Sequence, residues 1–381
     1  MQFTSLKWMC VVLTSSLVGC SQITPLPEHQ VALSQTYPLQ TQGNYQVLSW
    51  DNYVNDQQLI NLVDLALVSN QDLKIASLRI HEAQAAYGIQ RAELFPNIGG
   101  NAGMERNHVP ADLSYVGREM TTSQYSVGLG MNQWELDLWG RIRSLNEAAL
   151  QQFFAVESNV QAVRNSLIQQ TVLSYLTLSE LDKRIYFAQR SVQNYEKSVR
   201  LFKRRYEVGA SSKVEYMQAK TMLSNGQALV TQLEKSRALT ANYLVQLVGQ
   251  PTSLHQTDLD QVTFKTGVLH TGLTSDLLLN RADIRASEAM LKSKHANINA
   301  ARAAFFPRIT LTGSLGTASA DLDGLFKSGS SVWSFAPSIS VPIFTAGRLK
   351  NNLILAEVRK DIGVAEYEKT VQNAFREVSD A

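Results

Sequence analysis

Apolar residues recur at alternating spacings of three and four over two long stretches of the chain. Residues 141–208 contain no proline or glycine, and they predict one helix of about 67 residues, roughly 100 Å long. Gly209 breaks the pattern. A return helix is predicted over 212–248, ended by Gly249 and Pro251. The spacing is that of a heptad seam, which an ordinary long coiled coil would also show.

A shorter helical pattern runs from Leu59 to Leu94, interrupted at 70–72 where a new helix could be capped. Four other stretches alternate apolar with small or polar side chains, and they predict β-strands at 97–105, 125–132, 308–317 and 333–343.

The predicted strands are about 9 to 11 residues long, which is the length of a bilayer-crossing strand. One face of each is apolar and the other carries small polar residues, as expected for lipid on one side and water on the other. A soluble antiparallel sheet with one wet face would show the same alternation. Because the smallest membrane barrels have about eight strands, four strands require several copies of the chain for closure.

The chain is an internal tandem repeat. A Phe-Pro dipeptide before a strand occurs twice, 211 residues apart, and a Gly-Arg dipeptide before a long helix occurs twice, 207 residues apart, so the second hairpin loop is four residues shorter. Duplication of a spanning hairpin with its helices indicates the wall of a symmetric channel. The predicted strand-helix junctions are Pro96, Gly140, Arg141, Pro307, Gly347 and Arg348.

The first residues predict a secretory lipoprotein signal. Lys7 precedes an apolar run at 8–17, which is too short to span a bilayer, and a small residue precedes Cys20. We expect cleavage after residue 19 and diacylation of Cys20, which would anchor the N-terminus to outer-membrane lipid. An ordinary cleaved signal is the alternative. Cys10 would be lost with the signal.

Composition argues against other classes of protein. Charged residues make up 18% of the chain and the formal net charge is +2, which does not favour a nucleic-acid partner. The histidines are scattered without metal-ligand spacing, and Gly128-Leu129-Gly130 lacks the third glycine of a dinucleotide loop. The segment 321–324 has only part of a calcium loop. We therefore expect no catalytic residues, metal or cofactor, and no enzyme activity.

The predicted organisation has five parts. A signal peptide at 1–19 is followed by the anchor and an extended tether at 20–57. The first repeat covers 58–249, with its hairpin at 97–134. A linker at 250–275 leads to the second repeat at 276–381, with its hairpin at 307–343 and a long helix from about 347.

The second repeat is expected to be incomplete. The first uses 109 residues from Gly140 to Gly249, whereas 34 follow Gly347, and the last eight residues keep a helical pattern with no stop signal. We expect a C-terminally truncated copy that inserts its strands without forming a sealed, gated tunnel.

Several segments together resemble the TolC-like outer-membrane factor (outer membrane efflux protein) family, and more closely its lipoprotein branch typified by OprM and NodT. The likeness covers the mature chain almost end to end, and 136–143 is its most specific part. Its other segments are Trp50 with Asp56 and Leu59, 70–73, the two Phe-Pro junctions, 208–211 and 247–249.

This resemblance implies an α+β membrane protein that forms a homotrimer. Four strands per protomer would build a twelve-stranded outer-membrane β-barrel, continued by a long periplasmic α-helical coiled-coil barrel. The trimer would be a passive exit duct for small toxic molecules or drugs, supplied by an inner-membrane transporter of the resistance-nodulation-division (RND) type through a periplasmic adaptor. Alternatives are a duct for type I protein secretion and a structural lipoprotein coiled coil without a pore. The adaptor-contacting tip would be Val208, Gly209, Ala210 and Ser211.

Overall fold

A computed structural model describes residue 50 and residues 54–254 and 280–380 of the chain. The predicted signal peptide, Cys20, nearly all of the tether and most of the linker lie outside the described residues. The described part divides into two compact units. One comprises 81–156 and 284–373, and the other comprises 54–80, 157–254, 280–283 and 374–380. None of the described helices is long and apolar enough to cross a membrane.

The elements follow the predicted order. Along the chain they are α1 Gln57–Ser69, α2 Gln71–Ala92, β1 Ile98–Val109, β2 Met120–Glu135, α3 Arg141–Glu207, α4 Lys213–Val248, α5 Ala282–Ala303, β3 Arg308–Ser319, β4 Ser331–Ser340 and α6 Arg348–Asp380. The helix α3 has 67 residues, which confirms the prediction from the absence of proline and glycine.

The predicted strand lengths were wrong for three of the four strands. Strands β1, β2 and β3 have 12, 16 and 12 residues, and only β4, with 10, lies in the expected range. The far end of β1, at 106–108, is polar on both faces, so its side chains do not alternate although its backbone pairing continues. Strand β4 ends at Ser340 instead of residue 343 because Pro342 cannot donate a backbone hydrogen bond.

The four strands form one antiparallel sheet in the order β1-β2-β3-β4. Each repeat contributes one hairpin, and the seam between β2 and β3 joins the repeats. A β-bulge interrupts this seam between Met131 and Trp134. Gln133 lies in the bulge with φ 46°, and its N–H donates to Thr312 Oγ1 at 3.3 Å.

The second unit has an apolar core where α1, α3 and α4 pack together. The Tyr175 hydroxyl donates to Asp56 Oδ2 at 2.6 Å, and the other carboxylate oxygen of Asp56 caps the first turn of α1. The core side chains are Val54, Leu59, Leu62, Val63, Tyr175, Leu178, Leu244 and Val248.

The predicted interruption of the first helical pattern is confirmed at a single residue, Asn70. Its side chain is buried and connects two elements: Oδ1 accepts from Leu73 N, and Nδ2 donates to Leu247 O, both at 2.9 Å. Gly249 ends α4 with φ 79°, and a Cβ there would collide with the Ser69 carbonyl oxygen. The end of α4 is therefore fixed against the break between α1 and α2.

Candidate functional site

The first strand-helix junction is held by an ion-pair network. Arg141, the first residue of α3, donates from Nε and Nη2 to the two oxygens of Glu135 at 2.8 and 2.7 Å. Arg308, at the start of β3, contacts the same carboxylate at 3.0 Å. The hydrogen bond to Glu135 raises the pKa of Arg141 above its usual range. One carboxylate thus joins the first repeat to the second.

A second carboxylate caps α3. The Asp137 side chain accepts from the backbone N–H groups of Ile142 and Arg143 at 3.0 and 2.8 Å. Gly140 precedes the helix with φ 76°, a conformation that favours glycine. The sharp change from strand to helix therefore depends on Gly140 and on this cap.

Trp139 contacts the Phe-Pro junction of the other repeat. Its ring stacks on Phe306 with centroids 5.0 Å apart, and its Nε1 donates to Pro307 O at 2.7 Å. Close by, Leu136 N donates to Ile309 O at 2.9 Å. These contacts give Trp139 a structural role, because they join the first junction to the second repeat.

The second strand-helix junction differs from the first. Gly347 has φ 82° and Arg348 begins α6, as the repeat predicts. Pro342 and Phe344 occupy the positions of Glu135 and Asp137. Among the described residues no carboxylate pairs with Arg348.

Only some of the six predicted junction residues lie together in the structure. Arg141, Pro307 and Arg348 line one cavity of about 280 Å³. Gly140 and Gly347 supply the backbone turns beside it. Pro96 does not line this cavity and is exposed.

The predicted tip is an exposed turn between α3 and α4. Val208 is 78% exposed, and Gly209 has φ 76°. Ser212 caps α4, and it forms a capping box with Glu215. Apolar side chains are exposed around this turn at Val208, Val214, Met217 and Met222.

The sheet contains a close backbone contact that the sequence did not reveal. Gly128 of β2 lies opposite Gly316 of β3. A Cβ on Gly128 would lie 2.7 Å from Leu315 O, and one on Gly316 would collide with Val127 O. The two repeats therefore approach more closely here than side chains allow.

Within 54–254 and 280–380, no group of three or more His, Cys, Asp or Glu side chains could hold a metal ion.

Comparison with known proteins identifies the family. The sequence profile of the outer membrane efflux protein family matches residues 62–250 and 273–381, well over half of the chain. The chain belongs to the outer membrane efflux protein family.

Relatives of this outer membrane efflux protein cover most of its length. The toluene efflux pump outer membrane protein TtgI of Pseudomonas putida is 40% identical over 391 residues, covering 100% of this chain and 82% of the relative. The outer membrane protein OprJ of Pseudomonas aeruginosa is 40% identical over 336 residues, covering 88% of this chain and 70% of the relative.

Solved structures agree with this assignment. The open-state MtrE outer membrane channel of Neisseria gonorrhoeae matches with a TM-score of 0.82 and 36% identity, covering 95% of this chain and 81% of that one. The CmeC outer membrane channel of Campylobacter jejuni matches with a TM-score of 0.80 and 27% identity, covering 94% and 78%. This outer membrane efflux protein therefore acts in export at the outer membrane.

Proposed function

We propose that three copies of this outer membrane efflux protein meet edge to edge in one twelve-stranded barrel in the outer membrane, with their helices extending into the periplasm. The proposal rests on the pairing and exposure of the two edge strands of the sheet. In the described part of the chain, β1 and β4 each pair on one side only, and nearly all their side chains are exposed. Three such sheets supply twelve strands, above the minimum of about eight for a membrane barrel.

The internal repeat predicts which residues lie opposite each other where β4 of one copy meets β1 of the next. Ile98 and Ile309 correspond in the repeat, and they pair with Met131 and Ile339 respectively, so Met131 corresponds to Ile339. Met131 pairs with Gly313 across the seam between the repeats. The counterpart of Gly313 is Ala102, 211 residues earlier. If the contact between copies repeats the contact within one copy, Ile339 lies opposite Ala102 of the next copy.

Cysteines at these two positions are expected to link neighbouring copies. Directly opposed residues in an antiparallel pair have Cα atoms about 4.5–5.5 Å apart, which a disulfide can span. The variant Ile339→Cys with Ala102→Cys should therefore give linked dimers and trimers on a non-reducing gel after oxidation of outer membranes. A link within one copy is excluded because β2 and β3 separate the two edges by about 14 Å.

The matched control is Ile339→Cys with Arg106→Cys. It moves one partner by four residues, or about 13 Å, beyond the reach of a disulfide. Linking of the control in place of the first pair would contradict the register. Absence of links in both would contradict the closure of β4 against β1.

The proposed substrates are small toxic molecules. Relatives of this chain are named for toluene, solvent and antibiotic efflux pumps, which favours small solutes over the alternative of protein secretion. The structural relatives MtrE and CmeC are outer membrane channels, which favours a duct over a coiled coil without a pore. An inner-membrane transporter of the RND type would supply the energy, so this chain would need no cofactor and catalyse no reaction. Acylated Cys20 would anchor each copy to membrane lipid.

We propose that the tip, Val208 to Ser211, contacts the periplasmic adaptor. Exposed apolar side chains around the turn support this role, because such surfaces commonly bind other proteins. The Ala210 side chain is exposed, so Ala210→Glu should leave the turn folded. An uncompensated charge buried at an interface costs about 2 kcal/mol or more, so we expect adaptor binding to weaken by roughly thirtyfold or more.

The measurements are drug tolerance in cells without another duct and crosslinking to the adaptor from a photoreactive residue at position 211. Gln227→Glu is the control, because it adds the same charge at an exposed position farther along α4. Unchanged tolerance and crosslinking in Ala210→Glu would show that the adaptor binds elsewhere.

A further inference from the structure

The cavity at the strand-helix junctions has an unusual charge balance. Its charged lining consists of the guanidinium groups of Arg141, Arg308 and Arg348 and the carboxylate of Glu135. Both oxygens of Glu135 are already occupied by Arg141 and Arg308. The lining thus has one negative and three positive charges. Asp137 and Glu93 act on Arg141 from outside the lining, while Arg348 is left without an acidic partner among the described residues.

An adjoining cavity of about 370 Å³ extends the basic surface. It shares Arg141 and Arg308 with the first cavity and adds Lys294 and Arg359. No carboxylate belongs to its lining. Lys294 is paired with Glu366 at 2.6 Å, but none of the described acidic residues pairs with Arg359. The excess positive charge therefore extends across both cavities.

The two repeats show which group is missing. In the first repeat, Arg141 pairs with Glu135, and Asp137 caps the helix that Arg141 begins. The second repeat keeps the arginine as Arg348 but has an apolar residue at each carboxylate position. The second junction thus has the cation of the first without the anion.

We propose that this cavity binds the phosphate of an anionic glycerophospholipid. Guanidinium groups pair strongly with phosphate oxygens, and the guanidinium groups of Arg348 and Arg359, which pair with none of the described acidic residues, favour an anion over a zwitterion. Exposed apolar side chains beside the cavity would contact the acyl chains: Val341, Ile343 and Phe344 are 54%, 95% and 88% exposed. The inference rests on the proposed membrane crossing by the strands, which places their ends at the level of the headgroups.

Native mass spectrometry of the full chain in detergent tests this proposal. Phosphatidylglycerol and phosphatidylcholine with the same acyl chains are titrated separately, and inorganic phosphate is added in a third series. We expect saturable binding of phosphatidylglycerol, and about tenfold weaker binding in Arg348→Gln, because one charge-assisted hydrogen-bonding group is lost. Lys350→Gln is the matched control, since Lys350 lies in the first turn of the same helix but lines neither cavity. Lipid binding by this variant should match that of the unsubstituted chain.

Three results would overturn the proposal: equal binding of the two lipids, equal loss in Arg348→Gln and Lys350→Gln, or occupation of the site by inorganic phosphate without preference for phosphatidylglycerol. The same spectra give the mass of the assembly. Trimers without lipid preference would therefore refute this site alone, whereas monomers that bind phosphatidylglycerol would refute the proposed assembly alone.

Discussion

Gly316→Ala is expected to prevent the two hairpins from joining into one sheet. The added Cβ would collide with Val127 O and lie 2.6 Å from the Gly128 Cα. Both are backbone atoms, so no rotation of a side chain can relieve the contact. Overpacking of this kind typically costs about 1–3 kcal/mol, and we expect the upper end or more because the strands themselves must separate. The measurement is the amount of folded protein extracted from outer membranes, with its thermal unfolding temperature.

Gly103→Ala is the matched control for this prediction. Gly103 also lies in the sheet, but a Cβ there would have no atom within 4 Å. Its yield and unfolding temperature should stay close to those of the unsubstituted chain. An equal loss of yield and unfolding temperature in both variants would mean that the strand glycines matter for their flexibility. If neither variant loses yield or unfolding temperature, the seam can open without cost.

Arg237→Ala is expected to destabilise the pairing of α3 with α4 by about 3–5 kcal/mol, because it leaves a buried carboxylate without its partner. The Asp182 side chain is 6% exposed, and both its oxygens contact the Arg237 guanidinium, one of them at 3.2 Å from Nη2. The pair lies beside the apolar cluster of Leu181, Ile185, Ala188 and Leu233. Chemical denaturation monitored by circular dichroism would measure the loss.

Arg184→Ala provides the comparison, because Arg184 pairs with Glu180 on the surface of the same helix. Both side chains are more than half exposed, and such a pair contributes about 0–1 kcal/mol. The double variant Asp182→Leu with Arg237→Met should regain most of the lost stability, since apolar residues can replace a buried ion pair. A small effect of Arg237→Ala would show that water reaches Asp182.

The long elements could be predicted from sequence because their signals are local. Helix α3 was predicted from apolar spacings of three and four without proline or glycine, and the junctions were predicted from the repeated Phe-Pro and Gly-Arg dipeptides. The return helix was also predicted correctly, although it contains Gly226. The structure explains this glycine, since a Cβ there would lie 3.1 Å from the Tyr195 ring and 3.2 Å from Val192. A glycine inside a helix therefore marks close packing here, not an end.

The contacts that join the repeats could not be predicted, because they connect residues far apart in sequence. The ion pair between Glu135 and Arg308, and the contact between Gly128 and Gly316, depend on the register of β2 against β3. That register includes the bulge at Gln133, which has no signal in the side-chain pattern. The polar end of β1 was missed for a related reason: its backbone pairs without an alternation of side chains.

The order of pairing within the sheet has a consequence for how quickly the protein can fold. Each hairpin joins neighbouring segments, as where Val109 pairs with Met120. The seam instead pairs Tyr125 with Ser319, at a sequence separation of about 190 residues. Closing so long a loop costs chain entropy before any contact between the strands can stabilise it. The hairpins are therefore expected to form early and the seam late. Until then, both hairpins expose strand edges in the periplasm, and the time before the seam closes is the period of greatest risk of aggregation.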